Sequence, residues 1–114
     1  MISNFFNFSQ VIIIDSPCLK ITNGILFIYA GWAPYTYKLD LLNKSIQNSA
    51  IKIYVIDIEN EITYDFLKYN NLIGKYEIGG WGEIFWIKNG KVLFFSGKEF
   101  DQMKLSEYNR MIIA

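Results

Sequence analysis

The chain has 114 residues with 52% hydrophobic and 18% aromatic content, enough for one packed domain and too apolar for general disorder. Eleven basic residues balance eleven acidic ones; Arg110 is the only arginine and no basic stripe appears, which speaks against nucleic acid as a partner. A single cysteine, Cys18, and the lack of histidine exclude an intramolecular disulfide, a Cys/His zinc site, and Ser-His-Asp or Cys-His catalysis within the chain.

In chain order, Val11-Ile12-Ile13-Ile14 is a continuous β-branched run closed by Asp15-Ser16-Pro17, and predicts the first strand. Ile25 to Ala30, after the Asn23-Gly24 turn pair, predicts the second. Both are apolar at consecutive positions, as strands covered on two faces are. Pro34 suits the first turn of a helix. From there Tyr35, Leu39, Leu42 and Ile46 recur at helical spacing, with Lys38, Asp40, Lys44 and Gln47 on the solvent side. Ile51 to Ile58 reads as a third strand and Ile62 to Tyr69 as a short helix. Gly74 to Gly82 holds Gly74, Gly79, Gly80 and Gly82 and reads as a loop. Glu83 to Ile87 and Val92 to Ser96 are strands around Lys88-Asn89-Gly90-Lys91, a hairpin turn because Asn-Gly accepts positive φ at both central positions. The tail from Lys98, with Phe100, Met103 and Tyr108, closes the domain as a helix over one sheet face.

This order predicts a single α/β domain over residues 1–114. Its mixed central sheet has parallel strands first, an antiparallel hairpin last, and helices on its faces. No apolar run reaches the roughly 18–20 residues of a membrane span. The N-terminal stretch lacks the basic region and cleavage site of a signal peptide, so a cytoplasmic protein without membrane contact is expected.

Three stretches resemble thioredoxin. Ile25-Leu26-Phe27-Ile28-Tyr29-Ala30-Gly31-Trp32 is similar to the strand entering that family's Trp-Cys-Gly-Pro-Cys motif. Tyr54-Val55-Ile56-Asp57-Ile58-Glu59-Asn60 is similar to its Val-Asp-Val-Asp-Glu-Asn strand end. Glu83-Ile84-Phe85-Trp86-Ile87-Lys88-Asn89-Gly90-Lys91 is similar to its Lys-Asn-Gly hairpin. The resemblance spans Gly24 to Gly97 and implies a thioredoxin-like domain. It also implies a lost redox centre. Ala33 and Thr36 stand at the two cysteine positions, Phe27 at the buried acid, Val55 at its lysine neighbour, and Gly82 at the cis-proline. Thiol–disulfide exchange requires an attacking thiolate and a resolving thiol, so the chain is expected not to be an enzyme of that kind.

In such a fold Trp32-Ala33-Pro34-Tyr35-Thr36-Tyr37 lies at the carboxyl end of a central strand, where open α/β sheets place their sites. The Gly79-Gly80-Trp81-Gly82 loop lies beside it. The expected partner-binding residues are therefore Trp32, Pro34, Tyr35, Thr36, Tyr37, Gly80, Trp81 and Gly82, since Trp and Tyr concentrate binding energy; Trp32 and Tyr37 could equally pack on the domain itself. Asp57 and Glu59 flank Ile58 on one strand face and read as a solvated strand end; Glu61 and Asp65 read as an exposed helix face. Cys18 reads as a small, buried or half-buried hydrophobe, with a reactive thiol as the alternative and Lys20 the only basic residue near it in sequence.

The expectation is a redox-inactive protein-binding module with no cofactor and no metal. A bacterial immunity protein that covers a toxin's active site is one form of it. An adaptor or assembly subunit using the former substrate groove is another. The balanced charge speaks against a basic toxin as target. A glutathione-using enzyme activating its thiol through Thr36 or Tyr35 is the alternative of a different class; such enzymes carry a second, helical domain for which 114 residues leave no room.

Overall fold

β-branched and aromatic runs set the sheet. The computed structural model describes residues 10–32 and 37–113. β1 (Val11–Ile13), β2 (Gly24–Tyr29), α1 (Tyr37–Ser45), β3 (Ile53–Asp57), α2 (Thr63–Tyr69), β4 (Ile84–Lys88), β5 (Lys91–Ser96) and α3 (Leu105–Ile113) follow in sequence, with a 3-10 turn at Gln102–Lys104 before α3. The five strands form one mixed sheet in the order β1-β3-β2-β4-β5. β3 pairs in parallel with both β1 and β2, while β4 is antiparallel to β2 and to β5. The expected α/β domain with parallel strands first and a hairpin last is thus present. None of its helices, among the described residues, is long and apolar enough to cross a membrane.

β2 is the central strand and is buried along its whole length. Its alternate residues feed two cores, as the two-residue strand period requires. Ile25, Phe27 and Tyr29 join Leu39, Leu42 and Ile46 of the α1 side, with Leu105 and Ile112 of α3. Leu26 and Ile28 join Phe66 and Leu67 of α2 on the other face. Each layer is stitched by one buried amide. Asn109 accepts from Trp86 Nε1 (2.9 Å) and donates to Ser45 Oγ (2.8 Å), tying α3, β4 and α1. Asn70 accepts from Ile21 N (3.0 Å) and donates to Leu19 O (2.9 Å), tying the end of α2 to the β1–β2 connection. The hairpin turn is as expected: Asn89 and Gly90 take φ of 53° and 75°.

The expected helix start at Pro34, with Ala33, Tyr35 and Thr36, lies outside the described residues, and the described helix runs Tyr37–Ser45. Several expectations are corrected. Lys38 is buried rather than on the solvent side. Its register explains this: Lys38, Leu42 and Ile46 are spaced by four, and so share the inward row. The tail turns twice before it covers the sheet. Asp101 accepts from Met103 N (3.0 Å) and caps the 3-10 turn, which leaves Met103 85% exposed. The inward face of α3 is Leu105, Asn109 and Ile112 instead. Asp57 and Glu59 do not share a strand face: β3 ends at Asp57, whose Oδ1 accepts from Glu59 N (2.9 Å) in a turn. Cys18 is exposed, not buried, beside Asp65, Lys68 and Tyr69 of α2.

Candidate functional site

β2, β3 and β5 all run toward the same end of the sheet, and β4 starts there. Trp32, Asp57, Glu83 and Ser96 are therefore brought to one rim. Trp32 follows β2 and is 61% exposed, yet its ring is seated. It lies against Gly80, where an added Cβ would stand 2.6 Å from Trp32 Cζ2. Gly80 also has φ of +87°, a conformation L side chains rarely adopt. Only glycine satisfies both conditions, so the Gly-Gly pair is a platform for an indole. Trp81 folds back over Gly79 in the same way, with its ring 3.2 Å from a Cβ built there.

This loop is fixed from both sides by two buried ionisable residues. Lys38 Nζ reaches across from α1 and donates to Trp81 O (2.7 Å), Gly82 O (3.3 Å) and Gly97 O (3.2 Å). Three carbonyls match the three donors of an ammonium group. Glu83 Oε2 accepts from Gly79 N (2.7 Å) and Trp81 N (3.2 Å). The loop's carbonyls are thus held by a cation and its amides by an anion, each a charge-assisted bond. Glu83 is fully buried, and its Oε1 has no hydrogen-bond partner among the described residues. Burial pushes the Lys38 ammonium below its ordinary value of 10.5, and the Glu83 carboxylate opposes that shift. Lys38 also stands 5.4 Å from the centroid of the Phe100 ring, which meets Tyr37 edge to face at 6.3 Å.

Of the residues expected to bind a partner, Trp32 and Gly80 touch, and Trp81 and Gly82 are joined through Lys38. Tyr37 precedes Lys38 on α1, is half exposed, and packs on Phe100. Pro34, Tyr35 and Thr36 lie outside the described residues. Lys38 and Glu83 are the site residues that the sequence reading missed. The signals were an i, i+4 register for Lys38 and, for Glu83, an acid opening an otherwise apolar strand run.

The positions that resemblance assigned to proton transfer are apolar residues of the core. Phe27 and Val55 are cross-strand neighbours in the β2–β3 register, and both are buried. Gly82 takes φ of +71°, which a proline ring, fixed near −65°, cannot adopt.

No protein-family model matches the chain, and no curated protein matches it.

Proposed function

We propose that the chain is a redox-inactive binding module of thioredoxin-like architecture that takes a protein partner on the aromatic rim formed by Trp32, Tyr37 and Trp81. The strand order β1-β3-β2-β4-β5 with its parallel half and terminal hairpin supports the architecture. One observation carries the function. Trp32 is mostly exposed, but it is held on a glycine loop that Lys38 and Glu83 clamp from two sides. A large aromatic offered to solvent on a rigid base loses little freedom when a partner covers it, the condition under which one residue contributes strongly to affinity. Lys38 Nζ and Glu83 Oε2 are both bonded to backbone groups of this loop and its neighbour, which fits support of a surface.

Inhibition of a toxin by steric cover is the concrete form of this reading that the sequence suggests, and the partner's identity tests it. The experiment is affinity purification from the source cells with wild type, Trp32→Ala and Trp81→Ala. The expected result is one partner held by wild type and released at least about tenfold more readily by each variant, with unchanged far-UV circular dichroism. Equal retention by all three proteins would remove this rim as the binding surface. A parallel assay of insulin reduction with dithiothreitol is expected to give no turnover above the reagent alone; catalysis there would overturn the redox-inactive reading.

A further inference from the structure

The chain carries no net charge, but the hollows at the two ends of the sheet differ in the charged residues that line them. At the rim that holds Trp81, a cleft of about 790 Å³ opens around the end of β5. Its lining includes the aromatic residues Trp81, Trp86, Phe95, Phe100 and Tyr108, and its charged residues are Glu77, Glu99, Asp101 and Lys98. Neither Glu77 nor Glu99 is in an ion pair among the described residues; the pair found there is Lys44–Asp40 on α1. Beside Trp32, Glu59 lies against Gly31, with Oε1 3.8 Å from a Cβ built on that glycine. Lys38 at this rim is buried with its ammonium group bonded to backbone carbonyls. The hollow at the opposite end of the sheet has Lys52 and Lys88 as the charged residues of its lining among the described residues. The neutral composition that weighed against a basic target therefore averages over an acidic rim and a basic one.

We propose that the partner's contact surface is basic and seats an arginine or lysine side chain in the cleft beside Trp81. This rests on the reading of the aromatic rim as the binding surface. An aromatic wall attracts a cation through the ring quadrupole. The surrounding carboxylates neutralise it and steer its approach. Trp81 belongs to both the rim and the cleft, so one partner surface can cover Trp32 and fill the cleft together.

A hexa-arginine peptide titrated into the intact chain tests the idea, with hexaglutamate as the sign control and indole N–H signals as the readout. The expected result is a saturable shift of the Trp81 signal with the arginine peptide and none with the glutamate peptide. The triple variant Glu77→Gln, Glu99→Gln, Asp101→Asn should bind about tenfold more weakly, at a few tenths of a kcal/mol per exposed carboxylate. The Asp101→Asn change keeps a side-chain oxygen to cap the 3-10 turn, and circular dichroism verifies the fold. Unchanged affinity in the triple variant, or a peptide that shifts Trp32 and neither Trp81 nor Trp86, both of which line the cleft, overturns the proposal. The two readings fail separately. Capture of the native partner that survives in the triple variant but not in Trp32→Ala sinks the basic partner and leaves the aromatic rim standing.

Discussion

Lys38 shows how one residue can hold a surface in place. Its ammonium satisfies three backbone carbonyls from two different loops, and no apolar residue of similar length can do so. Lys38→Met is therefore expected to lower the unfolding free energy by about 2–4 kcal/mol, because carbonyls left buried without a donor lose bonds to a charged group. Urea unfolding measures this, and a loss below about 0.5 kcal/mol, the scale of an ordinary surface change, would show the clamp to be dispensable. The pH dependence has a definite sign. Burial lowers the folded pKa of Lys38 below the 10.5 of a free lysine. Between those two values the unfolded chain binds the extra proton, so stability from this group rises with pH. The charged form is disfavoured by the fold below the lowered value, and that cost is relieved as pH approaches 10.5. The difference in stability between wild type and Lys38→Met should accordingly grow as pH rises from the lowered value toward 10.5. A difference that shrinks over this range would contradict the sign.

At the scale of elements, the start of β2 is the most constrained turn. Gly24 has φ of +146°, and a Cβ there would sit 2.9 Å from Lys52 O, a backbone atom that cannot step aside. Gly74 also has positive φ, at +81°, but nothing lies within 4 Å of its added Cβ. Gly24→Ala should thus cost about 3 kcal/mol and Gly74→Ala about 1 kcal/mol, backbone strain being common to both and the clash to one. Denaturation midpoints of the two variants check the order, and equal losses would refute it. The strands are legible in the sequence for a simple reason: in a doubly covered sheet every position is apolar, so runs such as Ile25–Ile28 stand out. The hairpin is legible from Asn89-Gly90 because its backbone demands those residue types. The helices are legible in existence but less so in facing. Residue type assigns Lys38 to solvent, although its register places it with Leu42 and Ile46. In the 3-10 turn before α3, residue type assigns Met103 to the core, although the cap at Asp101 turns it outward. Of the site, Trp32, Gly80 and Trp81 can be foreseen, whereas the clamp cannot, because hydrogen bonds across 43 and 59 residues leave no local trace.

For the whole molecule, the rim and the core are separable. The core on both faces of β2 is built from residues that are almost wholly buried, while Trp32 presents most of its surface to solvent. Trp32→Ala should therefore leave the thermal midpoint within about 2 °C of wild type, as surface changes of up to half a kcal/mol do. A large fall would mean that the indole stabilises the fold, and its exposure could then no longer be read as a binding feature. Cys18 offers the complementary test from another part of the surface. It is exposed on the β1–β2 connection, next to α2, and Trp32 and Gly80 meet elsewhere. Its thiol should react stoichiometrically with Ellman's reagent in the native state without denaturant, since nothing must open to reach it. The labelled protein should keep its midpoint and its partner. A thiol that reacts only after unfolding would place Cys18 inside the fold. Labelling that abolishes partner capture would move the binding surface from the aromatic rim to the α2 side.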